Sequence, residues 1–361
     1  MKRILIILIS CFAVLSPLSA EVLITGQAYT GYRFKYDDND NRWEVKRYGR
    51  KKTKAEGNST RIYLQAVDEM GIYSLDFKEI AYYGEKGQAT ANLTMDITKA
   101  IENRYDIFPP FTFTLSLGNT NQVEGLRAYF DSFDNDYDRL ETMSPNAGEA
   151  ADSWGDGNIA EKGAFVTAYL QYEKIEVQAA TDPVYSNDFS LSMRLTPRKG
   201  FKIATTYAFK GDYTHNGAIG VSARLDVDKV FKNGLDLLVG GYCNFGFKDD
   251  GDISDALYYG AGFEYTRNEF LYLGEYRFVR DSDEEDGRHQ AELEIDYSYW
   301  DFVYGANFKI NDFADAGREY AVEGSLKYDL DPLGFKVTVG FERSYSDENS
   351  VYVIPYAFVS F

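Results

Sequence analysis

Apolar and polar residues alternate along most of this chain. Phe111, Phe113, Leu115 and Leu117 are interleaved with Thr112, Thr114, Ser116 and Gly118. The same period runs through Phe189/Leu191/Met193/Leu195 against Ser190, Ser192 and Arg194, and through Ile219/Val221/Ala223/Leu225 against Ser222, Arg224 and Asp226. It returns in Phe302/Tyr304/Ala306/Phe308/Ile310, opposed by Asn307 and Lys309. Successive side chains of a strand point to opposite faces, so each run predicts a strand with one apolar and one polar side. The first strand, 22–36, sets Val22, Ile24, Ala28, Tyr32 and Phe34 against Thr25, Gln27, Tyr29, Arg33 and Lys35. The last, 351–361, puts Val353, Ala357, Val359 and Phe361 on one face. Pro355 falls inside that strand, where it removes a ladder donor, and a local bulge is expected there.

Between the strands the connections differ in kind. Glu173-Lys174, Pro197–Gly200, Arg267-Asn268, Trp300-Asp301 and Asp331–Gly334 read as tight turns. The intervening connections, such as 247–254 and the acidic 281–287, are longer. Short turns on one side and longer loops on the other predict an all-β, transmembrane, antiparallel up-and-down barrel of about 18 strands, with 16 as the alternative. An even count puts both termini on the short-turn side. Residues 37–59 read as a solvated polar loop with cations at Arg42, Lys46, Arg47, Arg50, Lys51, Lys52 and Lys54, lipid phosphate being the sharper reading.

Composition supports a membrane barrel over a soluble sandwich. Aromatics make up 16% of residues, with 30 Tyr and 25 Phe, yet mean hydropathy is only −0.40. After residue 20 no apolar run approaches the length of a membrane helix. Many aromatics with low mean hydropathy are what strands apolar on one side only produce. The start of the chain predicts a secretory signal peptide over 1–20: cationic Lys2 and Arg3, an apolar core from Ile4 to Leu15, and a small residue at Ala20. The barrel then spans 21–361. A lipoprotein reading at Cys11 is weaker, because the apolar core continues past it. Cleavage after Ala20 leaves Cys243 alone, a lipid-facing or packed thiol.

One stretch breaks the pattern. Residues 119–163 have no period and carry Glu124, Asp131, Asp134, Asp136, Asp138, Glu141, Glu149, Asp152, Asp156 and Glu161 against Arg127, Arg139 and Lys162. They also hold Leu126, Tyr129, Phe130, Phe133, Tyr137 and Trp154, too apolar for a solvated tail. A loop this long in a strand protein is functional or disordered. The whole chain has a formal charge of −19, and losing Lys2 and Arg3 takes it to −21. Such a charge excludes nucleic acid as a partner and favours cations.

Signal peptide, closing strand and loop placement together resemble those of Gram-negative-type outer-membrane porins, the general diffusion kind. A terminal Phe361 preceded by alternate Val359 and Ala357 is similar to the signal that the barrel assembly machinery reads. On this count 119–163 follows the fifth strand, and the resemblance implies a third loop folded into the lumen as a constriction. It also implies outer-membrane lipids as surroundings and small hydrophilic solutes as cargo. The homotrimer common among such proteins is a further implication, although Gly84–Gly87 is too short to latch onto a neighbour as in some porins.

A barrel this wide holds a water channel unless plugged. The expected function is therefore passive diffusion of small hydrophilic solutes and ions, weakly cation-preferring, with the acids of 119–163 facing lumen cations Arg33, Arg61, Arg194 and Arg224. A substrate-specific channel for a sugar or organic ion is the alternative, then a non-conducting structural or adhesin barrel. Enzymatic activity is not expected. Asp212–His215 is an Asp–His pair on a loop, and His289 has no evident serine beside it. No cofactor or metal is implied, since Asp249–Asp252 and Asp281–Asp286 read as solvated acids.

Overall fold

The computed structural model describes residues 20–37, 42–48, 59–82, 88–118, 165–181, 189–209, 217–247, 253–280, 287–311, 319–330, 333–343 and 349–360. Among these residues nineteen strands form one antiparallel sheet. They are β1 Ala20–Asp37, β2 Arg42–Tyr48, β3 Ser59–Asp68, β4 Tyr73–Tyr82, β5 Gln88–Asp96, β6 Phe111–Gly118, β7 Phe165–Tyr172, β8 Ile175–Thr181, β9 Phe189–Arg198 and β10 Phe201–Phe209. The sheet continues with β11 Gly217–Asp226, β12 Leu237–Phe247, β13 Ile253–Arg267, β14 Phe270–Arg280, β15 Arg288–Tyr299, β16 Phe302–Asn311, β17 Glu319–Leu330, β18 Leu333–Arg343 and β19 Asn349–Ser360. Two short helices, α1 Ile97–Tyr105 and α2 Val227–Phe231, replace turns after β5 and β11. Asp96 and Asp226 cap them, accepting from the Lys99 and Lys229 amides.

The pairings run in a cycle. On one edge β1 pairs with β19, from Gln27↔Ser360 to Asp37↔Ser350. On the other it takes β3 along its first half and β2 along its second. β2 and β3 therefore lie end to end as one strand position, and the nineteen segments make a ring of eighteen. Carried once round that ring, the registers return Gln27 to a level about 22 residues further along β1. With about 3.3 Å rise and 4.8 Å strand spacing, this stagger means a tilt of about 40° and a mean radius of roughly 18 Å. Side chains cannot fill so wide a cylinder.

Register also fixes which face each residue takes. Val351, Leu333, Val337, Val339, Val322 and Leu326 are exposed, while their strand neighbours Tyr352, Lys336, Thr338, Ala321 and Glu323 are buried. The apolar set faces outward and the polar set faces the lumen, all round the ring. Outward aromatics gather at two levels. Near the short turns Phe270 meets Tyr297 at 4.8 Å and Phe302 meets Tyr328 at 4.7 Å. Toward the far end Tyr259 stacks on Phe278 at 4.9 Å and Tyr36 lies 5.4 Å from Trp43. Two aromatic girdles bounding an apolar band are what a lipid bilayer selects. Cys243 sits on this outward face, opposite Val221 and Tyr259, half-buried and free.

Two expectations change. Residues 37–59 are not wholly loop, because Arg42–Tyr48 pairs with Gly31–Asp37. Pro355 makes no bulge: its register with β18 is constant along the strand. Its missing donor instead leaves a gap in the other ladder, which keeps one register from Gly31↔Tyr356 to Phe34↔Val353 but skips the Pro355 position.

Candidate functional site

Alternation places a row of polar side chains on the inside of every strand, and two clusters stand out. The first lies near the short turns of β7–β11. Arg194 grips Glu176 with two nitrogens, one Nε–Oε1 bond being 2.9 Å, and the Tyr169 hydroxyl donates to the same carboxylate at 2.9 Å. Lys202 faces Arg224 directly across the β10–β11 pair and feels the charges of Arg194, Arg224, Lys229 and Glu176. Opposed like charges destabilise a sheet pair. The cluster carries four cations and, with Asp226 bonded to Lys229 at 2.5 Å, two carboxylates, giving it a net positive field.

The second cluster lies toward the far end of β14–β19. Arg277 makes a bidentate pair with Glu275 at 2.6 and 2.8 Å. Lys309, fully buried, bonds Glu323 at 2.8 Å and stands 3.8 Å from Glu292. Tyr352 donates to the other oxygen of Glu323, and Asn307 donates to Glu292 at 2.8 Å and Glu294 at 3.3 Å. Glu275 and Glu292 oppose each other in register, so Arg277 and Lys309 are what make that acid pair tolerable. Gly340 leaves the space Tyr352 occupies, since a Cβ there would fall 2.3 Å from its ring.

Of the residues expected from sequence, Arg33 faces the lumen, 4.7 Å over the Tyr352 ring. Arg194 and Arg224 belong to the first cluster. Arg61 occupies a lumen-facing register position, opposite Gln27 and Ile80. The four are not brought together: Arg33 belongs to the far end, whereas Arg194 and Arg224 lie near the short turns. Val359 and Ala357 pair with Leu333 and Phe335 on the outward face. Glu124, Asp131, Asp134, Asp136, Asp138 and the rest of 119–163, together with Phe361, lie outside the described residues, as do Asp212–His215, Asp249–Asp252 and Asp281–Asp286. Sequence reading passed over Lys202, Glu176, Glu275, Arg277, Glu292 and Glu323. All stand at alternate positions within strands, a signal open to sequence; Glu275 and Arg277 partner within β14, but Glu176, Glu292 and Glu323 find their partners on other strands. His289 lies outward, its Nδ1 2.8 Å from the Tyr276 hydroxyl and its ring against Phe278. Among the described residues no group of three acidic, His or Cys side chains could hold a metal.

No known family model matches this chain, and no curated relative does. Solved structures do. OpdL of Pseudomonas aeruginosa is similar over 94% of this chain and 99% of its own, with TM-score 0.57 and 8% identity. OpdQ of the same organism matches over 95% and 98% with TM-score 0.56 and 9% identity. OprD matches over 94% and 95% with TM-score 0.52 and 9% identity. At such identity the likeness is one of fold: the chain has a porin-like β-barrel fold.

Proposed function

We propose that this chain, after removal of 1–20, is an outer-membrane channel through which small hydrophilic solutes and ions diffuse in water. A closed ring too wide for its side chains, apolar outside and charged inside, carries this reading. Lining groups paired across strands, such as Glu176–Arg194 and Lys309–Glu323, hold fixed charges at the wall of the passage. A hydrophobic plug or a structural barrel has no use for buried lumen charges that each cost desolvation.

The channel is weakly cation-preferring, and 119–163 sets the preference. Ten acids against three cations in that stretch support this reading. Screening at physiological salt reaches about 8 Å, so ions crossing a constriction are not shielded from its carboxylates. The basic cluster of Arg194, Lys202 and Arg224 opposes them and keeps the preference small. Reversal potentials in a salt gradient test the balance. Asp131, Asp134 and Asp136 changed together to Asn should move the reversal potential toward anions, and Asp283→Asn with Glu284→Gln and Glu285→Gln should move it less. Equal shifts in both would remove 119–163 from the constriction.

A further inference from the structure

The lumen wall of β1 and β3–β5 contains a recess of about 380 Å³ near the short-turn end, within the range of small-molecule sites. Its floor is a single row of cross-strand partners: Leu23 opposite Gln65, Gln65 opposite Asp76, Asp76 opposite Asn92. The row is roughly 5 Å per step. Thr25 and Tyr63, also paired, form its upper side. The Gln65 amide donates to Asp76 Oδ1 at 2.8 Å, which fixes both side chains along the wall. Gly118, next in the row after Asn92, is part of the construction. A Cβ there would fall 1.6 Å from Asn92 Oδ1, so only glycine lets that amide lie flat.

We propose that this recess is a binding subsite for an uncharged polyhydroxylated solute of monosaccharide size, resting on the channel reading above. The chemistry is specific to that class. Two side-chain amides, a carboxylate and a hydroxyl present donors and acceptors in a line, as neighbouring sugar hydroxyls do. Tyr63 and Leu23 supply apolar surface for ring C–H groups. Asp76 is the only carboxylate on the row, and its Oδ1 accepts from the Gln65 amide. One charge among four neutral polar side chains leaves recognition to hydrogen bonds more than to ion pairing. Binding is weak by necessity, since a channel site must release what it takes up.

Saturation-transfer NMR of glucose against the folded protein in detergent tests this without requiring conduction. Transfer to the glucose ring protons is expected, and Asp76→Asn combined with Asn92→Leu should abolish it. Gly118→Ala, whose Cβ crowds the Asn92 amide and the Ala91 carbonyl, should weaken it severalfold while folding is checked by heat-modifiable gel mobility. No transfer with the unaltered protein, or equal transfer with folded variants, overturns the subsite. Glucose should also lower single-channel conductance to a saturating level, beyond its effect on bulk conductivity, and a decline that only follows bulk conductivity overturns it. Transfer from a protein that carries no current would instead remove the channel reading and leave the subsite standing.

Discussion

Replacing Lys309 by Met tests whether the buried lumen network is built as charges or merely packed. Lys309 is fully buried, 2.8 Å from Glu323 and 3.8 Å from Glu292. Methionine keeps most of the stem's volume but removes the cation shared by two carboxylates that are each about 3% exposed. Glu323 then retains only the Tyr352 hydroxyl and Glu292 only the Asn307 amide among the contacts described above. Removing one partner from a buried pair costs about 3–5 kcal/mol, because the other charge stays desolvated. Glu323→Gln in the same chain should recover part of that loss, and a double-mutant cycle should give a coupling of about 0.5–3 kcal/mol. Urea unfolding of the protein in lipid vesicles, followed by tryptophan fluorescence, reads both numbers. Unaltered unfolding of Lys309→Met, or no coupling to Glu323, would refute the reasoning. It would mean that water or ions already satisfy these carboxylates.

Three further outcomes are expected. Gly340→Ala should push the Tyr352 ring aside, since the new Cβ meets it at 2.3 Å, and lower the urea midpoint. The drop should be smaller in a Tyr352→Ala background, and an equal drop there contradicts the contact. Cys243 should resist a membrane-impermeant maleimide in intact membranes and react after unfolding, because it faces lipid between Val221 and Tyr259. Prompt labelling from the aqueous side would count against the assigned faces. Phe361→Asp should reduce the folded, heat-modifiable form more than Asp283→Asn does, since the closing strand carries Val359 and Ala357 outward. Comparable folded yields would argue against an assembly role.

The outward face was legible in the sequence because lipid admits little but apolar side chains. Phe302 to Ile310 and Phe189 to Leu195 therefore show their period without a structure. β2 was harder to see. Arg42-Trp-Glu-Val-Lys-Arg-Tyr48 alternates, but its charged inner positions lie in a cation-rich stretch that reads as loop. The pairs Lys309–Glu323 and Glu176–Arg194 could not be read at all, since residues 14 and 18 positions apart meet only through register. Register in turn depends on closure of the whole ring. For Pro355 the sequence announced a lost donor, but whether the chain bulges or leaves a ladder gap depends on its β1 neighbour. The recess at Asp76 and Asn92 drew no notice for the same reason: its polar residues come from four strands, one or two from each.

Single-channel recording in a planar lipid bilayer tests the central claim most directly. The folded protein should insert as discrete, long-lived current steps. Their size should rise with salt concentration nearly as bulk conductivity does, with a modest excess of cation over anion current. Correctly folded, heat-modifiable protein that inserts and carries no current would contradict it, leaving a barrel whose lumen is closed.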